Sequence, residues 1–203
     1  MTYKTEQEEF WAGDFGNNYI DRNSTIKNLS SDIHLFSDIL GKMEKFSSLM
    51  EFGANIGMNL RALKTLMPNL FCAAVEINAK ARVELQRYAD QVFGQSILDY
   101  IPEQQYDAVL CKGILIHLNP AYLNEVYQKM YDVSRKYIII AEYYNPTPVM
   151  VNYKGNADRL FKRDFPGELM DMFPDLRLRE YGFQYHRDIN FPMDDINWFL
   201  LEK

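Results

Sequence analysis

The chain is poor in cysteine: 203 residues carry two, Cys72 and Cys111, each inside an apolar run. Neither metal-ligand spacing nor a disulfide framework is present, so buried free thiols and a reducing, cytoplasmic setting are expected. No apolar run approaches the ~18 residues that a membrane helix needs. Residues 1–11 are polar and acidic, unlike a secretion leader. Basic charge is in short supply too, with 22 Lys and Arg against 28 Asp and Glu and a net charge of −6. That balance argues against a nucleic-acid backbone or a membrane surface as partner. Internal repeats and low-complexity segments are absent as well. The length suits one domain, residues 1–203, with a core that needs no staples.

Strand and helix signals alternate along the chain, as in an α/β domain with a mostly parallel sheet. A helix is expected over residues 32–41 and a first strand over 48–52. Apolar spacing at Met58, Leu60, Leu63, Leu66 and Met67 predicts a helix ending before Pro68. Strands follow at 71–76, 92–94, 106–111 and 137–141. A helix capped by Asn78 reaches about Tyr88, and another runs over 121–133, behind Pro120. Residues 143–163 lack periodicity and read as a long functional loop. A short helix over 168–173 and two final strands, 176–186 and 197–202, complete the chain.

One strand–turn–helix carries the chemistry. Its turn reads Glu51-Phe52-Gly53-Ala54-Asn55-Ile56-Gly57. Gly53 lets the chain leave the strand sharply, and Gly57 lets the helix lie close while a ligand meets bare backbone. Glu76 ends the second strand, where a carboxylate can accept from both hydroxyls of a ribose. A dinucleotide fold would want a third glycine for the pyrophosphate, and Asn55 occupies the middle position instead. S-adenosylmethionine has no phosphate. Glu51 suits its ammonium side and Asn55 its carboxylate, so the turn favours the sulfonium cofactor.

Together with Gln95-Ser96-Ile97 and Lys112-Gly113-Ile114-Leu115-Ile116-His117, these residues resemble class I methyltransferases. The resemblance implies a Rossmann-like fold, a mostly parallel seven-stranded sheet closed by an antiparallel C-terminal strand pair. It implies a methionine site at Gly53, Asn55 and Gly57, and ribose contacts from Glu76 and Ile77. Ser96 and Ile97 would hold the adenine edge, with Lys112 and Gly113 beneath the sulfonium. Ser96 stands where an acid often meets the adenine amino group. The segments 10–23, 142–148 and 160–165 are more narrowly similar to methylases associated with pseudaminic acid biosynthesis. That family points to a sugar or nucleotide-activated sugar as the acceptor, methylated on oxygen or nitrogen.

Methyl transfer from a sulfonium needs mainly alignment and exclusion of water, with a base for a hydroxyl acceptor. His117, Tyr143 and Tyr144 are the candidates for catalysis, with His34 and His186 as further possible bases. Trp11, Asp14 and Tyr19 belong to a glycine-rich aromatic segment, either a lid over the ligand or a plug on the sheet. The chain divides into this helical segment (1–45), a cofactor core (46–142), an acceptor-side loop (143–163) and the closing helix and strands (164–203). Arg159, Lys162 and Arg163, with Lys154 nearby, are expected to form a basic rim for an anionic small-molecule acceptor. Two other readings stand beside this one: a silent cofactor-fold binding protein, and a nucleotide-dependent oxidoreductase. Metal ligands are not expected, and the oligomeric state is open.

Overall fold

The computed structural model describes residues 3–23, 26–153 and 156–203, with no account of the side chains of 21–28 and 153–158. Lys154, named above beside the basic residues, lies outside the described residues.

A seven-stranded sheet forms the centre. Its strands are β1 (Ser48–Phe52), β2 (Phe71–Val75), β3 (Gln91–Phe93), β4 (Tyr106–Lys112), β5 (Ser134–Glu142), β8 (Arg177–Gln184) and β9 (Ile196–Glu202). They lie in the order β3-β2-β1-β4-β5-β9-β8. β1 to β5 run parallel, while β9 is antiparallel to β5 and to β8. This is the Rossmann-like arrangement that the resemblance implied. The order reverses between β1 and β4, and in open α/β sheets that crevice, outside the carboxyl ends of the strands, takes the ligand.

The near-continuous apolar strands are those of a sheet buried on both faces. On one face Met50, Val109, Ile138 and Leu201 join α6 (Leu123–Val133) and α7 (Phe165–Met172). On the other, Leu49, Ala74, Leu110 and Ile139 meet α3 (Ile26–Leu40) and α4 (Met58–Leu66). Both cysteines are buried and free, and burial pushes the Cys72 thiol up to about 12. α5 (Ala79–Leu85) begins at Asn78, whose side chain accepts from the Ala81 N–H.

Several segments depart from the sequence reading, and α3 already begins at Ile26 rather than 32. Residues 143–163 are not a structureless loop, because β6 (Val149–Tyr153) pairs antiparallel with β7 (Asn156–Lys162) as a separate ribbon. Tyr144 and Arg163 add a bridge at its base. The helix behind Pro120 opens with a 3-10 turn at Pro120–Tyr122 before α6. Finally, α7 starts at Phe165 rather than 168, since Asp164 caps it through the Gly167 N–H and Pro166 fits its first turn.

The N-terminal segment forms α1 (Glu6–Ala12) and α2 (Asp14–Asn23), whose Trp11 and Tyr19 face the carboxyl ends of the strands. Asn78 fastens them, its Nδ2 donating to the Trp11 carbonyl (3.1 Å) and to Asn17 Oδ1 (3.0 Å). A Cβ on Gly16, in the first turn of α2, would run into that same carbonyl oxygen, so the close approach of α2 to the end of α1 requires glycine.

Candidate functional site

The carboxyl ends of β1, β2, β4 and β5, roofed by α1 and α2, enclose a cavity of about 480 Å³. Of the residues read from the sequence, it brings together Gly53, Asn55, Glu76, Ile77, Ser96, Ile97, Lys112, Gly113, His117, Tyr143, Trp11 and Tyr19. The turn after β1 is built on positive φ angles: Gly53 +71°, Asn55 +48° and Gly57 +80°. A Cβ on Gly53 would sit 2.6 Å from the Ile114 side chain. Gly113, at φ +65°, leaves open space above it at the end of β4.

Glu76 locks this turn to the second strand. Its Oε2 accepts the Asn55 N–H (2.6 Å) and its Oε1 the Asn78 N–H (2.7 Å). Burial raises the Glu76 pKa even though both amides favour the charged form. Each oxygen keeps a second lone pair for a ligand hydroxyl.

Glu51 and Gly57 stand outside the cavity wall. Glu51 is fully buried behind it, where its Oε1 accepts from Asn59 Nδ2 (2.6 Å) and its Oε2 has no partner. Burial lifts its pKa to about 7, against the pull of Asn59 and Lys112. Asn59 reaches the cavity in its place. Gly57 instead precedes α4 as its left-handed cap and packs against Leu85 and Tyr88. Burial disfavours the charge on Lys112, yet Asp32 at 3.0 Å outweighs it and the pKa stands above the usual lysine value.

Glu142 is the residue that the sequence reading most undervalued. It ends β5, lines the cavity and is 1% exposed. Its Oε1 accepts the Ile114 and Leu115 N–H groups, both at 2.8 Å, while its Oε2 has no partner. Burial pushes its pKa up to about 8. His117 is buried beside it along the same edge, with Nδ1 2.6 Å from the Arg159 carbonyl and its ring 4.7 Å from that of Trp11. A carbonyl only accepts, so Nδ1 carries the proton. Tyr143 donates to Asp194 (2.9 Å). His186 also lines the cavity and pairs through Nδ1 with Asp195 (2.8 Å), whereas His34 stacks on Phe191 outside it.

None of Arg159, Lys162 and Arg163, the expected basic rim, lines the cavity itself. Arg159 bonds Glu6 (3.2 Å) and covers the Phe10 ring, and Arg163 bonds Glu168 (2.7 Å). Lys162 lies over the Tyr143 ring. Acidic neighbours have claimed the two arginines, Glu6 from the far end of the sequence and Glu168 from the next helix. Asp14 and Tyr144 likewise stay off the cavity wall. Among the described residues Lys112 is the one lysine or arginine lining the cavity, against Glu8, Asp32, Glu76, Glu142 and Asp194. No group of metal-ligating side chains occurs among the described residues, and no helix there is long and apolar enough to cross a membrane.

The same architecture recurs in solved structures. A SAM-dependent methyltransferase from Leishmania major superposes with a TM-score of 0.72 at 18% identity, covering 98% of this chain and 82% of that one. The fold is that of the class I methyltransferases. The 1,6-didemethyltoxoflavin-N1-methyltransferase of Burkholderia thailandensis, solved with that compound and S-adenosylhomocysteine, has a TM-score of 0.71 at 13% identity, over 100% of this chain and 91% of its own. The plantazolicin methyltransferase BpumL, in complex with S-adenosylhomocysteine, scores 0.65 at 13% identity over 97% and 93%. No protein-family model matches the chain, and no curated protein matches it significantly.

The residues at the methyltransferase-fold crevice suit S-adenosylmethionine, whose net charge is positive. The crevice offers carboxylates, buried acceptor atoms on Asn55 and Glu142 without partners, and a glycine cradle that a side chain at Gly53 or Gly113 would fill.

Proposed function

We propose that this chain transfers the methyl group of S-adenosylmethionine to a small molecule. One observation carries the reading: the glycine turn after β1, the Glu76 carboxylate bonded to it and Gly113 after β4 all face a single acidic cavity. Gly53, Asn55 and Lys112 would hold the amino-acid end, Glu76 the ribose, and Ser96 with Ile97 the base.

When bound, the cofactor supplies a methyl group already activated by the sulfonium, so the protein has to align the acceptor and keep water out. Trp11, Tyr19 and His117 close the cavity from above, and Tyr143 with Asp194 flanks its mouth. Glu142 is the group best suited to take a proton from the acceptor. Two backbone amides fix its orientation, one oxygen is unused, and its raised pKa lies near neutral pH.

The acceptor class follows from charge. An anionic group on the acceptor would lie in a cavity lined mainly by acids, whose one lysine is paired with Asp32 and assigned to the cofactor, which speaks against the anionic acceptor expected from the sequence. A hydroxyl or an amine fits. A sugar suits this site with its hydroxyls or amino group inside and any phosphate held outside. The similarity to the pseudaminic acid-associated methylases supports that choice. Incubation with S-adenosylmethionine and nucleotide-activated sugar pools, followed by mass spectrometry, tests it. A product heavier by one methylene supports a sugar acceptor, and methylation confined to non-sugar amines would replace it.

A further inference from the structure

We propose that Glu8, carried by the N-terminal helix α1, reads the adenine 6-amino group of the cofactor, with Ser96 orienting its carboxylate. The inference rests on the methyl-donor reading above and adds a specificity residue to it.

Strand order dictates where each part of a linear ligand lies. With the amino-acid end over the β1 and β4 turns and the ribose at the end of β2, the base must extend over β3. The cavity there is walled by Gln7, Glu8, Ser96 and Ile97. The edge of adenine presents a 6-amino donor, which calls for a buried acceptor. Ser96 is committed elsewhere: its Oγ accepts the Leu98 N–H (3.0 Å) and donates to Glu8 Oε1. Of the four residues on this wall, Glu8 is the one that offers a charged acceptor.

Glu8 also forms a capping box with Thr5, and its Oε2 accepts the N–H groups of Lys4 (2.7 Å) and Thr5 (2.8 Å). Capping alone does not require burial, since a carboxylate at a helix start works in water. Glu8 is nevertheless 6% exposed, lines the cavity and meets a serine 88 residues away. Burying a carboxylate costs free energy, and a recognition role accounts for the expense. The cap bonds occupy Oε2, and Oε1 retains an acceptor position beside the Ser96 hydroxyl. A 6-oxo base would set oxygen against oxygen there, and such a site rejects it.

The test needs no acceptor. The full chain is titrated calorimetrically with S-adenosylhomocysteine and with S-inosylhomocysteine, in which the 6-amino group is replaced by oxygen. Wild type should prefer the adenosine form on the order of thirtyfold, the equivalent of one charge-assisted hydrogen bond. Glu8→Gln, whose amide can donate to the 6-oxo group, should bring the ratio to within about threefold. Thr5→Ala breaks the cap and leaves the carboxylate, so it should keep the wild-type ratio. Equal binding of both ligands by wild type, an unchanged ratio in Glu8→Gln, or a collapsed ratio in Thr5→Ala would overturn the assignment. Binding of neither ligand would remove the methyl-donor reading, and this inference with it.

Discussion

Replacing Glu51 by glutamine changes charge without changing shape. The side chain is fully buried, with its pKa raised by burial from 4.5 to about 7. A raised carboxyl pKa means that the fold binds the proton more tightly than the unfolded chain does. The stabilising contribution is therefore complete at low pH and is lost as pH rises through the folded value. Between pH 5.5 and 8.5 the wild-type protein should lose about 2 kcal/mol through this group alone. Glutamine does not titrate, and any fixed cost of its buried amide is the same at both pH values. Glu51→Gln should thus gain about 4–8 °C in Tm relative to wild type on going from pH 5.5 to 8.5. Differential scanning calorimetry of both proteins at both pH values measures this. A Tm difference that does not change with pH would show that Glu51 is not a neutralised buried acid.

Gly53→Val should abolish S-adenosylhomocysteine binding and leave circular dichroism near wild type, because its Cβ would press on Ile114 at a φ of +71°. Normal calorimetric affinity would mean the turn is not at the cofactor. Glu76→Gln should weaken binding by about 2 kcal/mol through the ribose hydroxyls. An affinity within twofold of wild type would refute that role. Gly16→Ala should loosen the α1–α2 roof against Trp11 and Asn78, with a lower Tm and faster proteolysis near residue 13. Unchanged protection would show that the contact yields without cost.

The centre of the sheet was legible because β1, β2, β4 and β5 are buried on both faces and read as apolar runs, the first three closed by Gly53, Glu76 and Gly113. The β6–β7 ribbon was not. Val149, Met150 and Val151 are successive exposed apolar residues, so no in-out alternation marks the strand, and its partner is β7 rather than the core. Gly53, Asn55 and Glu76 could be placed at the cavity from spacing, since glycine and an acid at strand ends act locally, whereas Glu51 and Gly57, read in the same way, stand behind its wall. Glu8 and Arg159 could not be read from spacing. Their roles depend on Ser96 and Glu6, which only the folded chain brings to them. Glu142 carried a readable signal, an acid ending an otherwise apolar strand, as Glu76 does. It was overshadowed by the tyrosines that follow it.

Calorimetric titration of the wild-type chain with S-adenosylhomocysteine tests the methyl-donor site most directly. One site per chain is expected, with a Kd on the order of micromolar. Affinity should fall in Gly53→Val and Glu76→Gln. Absence of binding at millimolar ligand, with the fold intact, would contradict it.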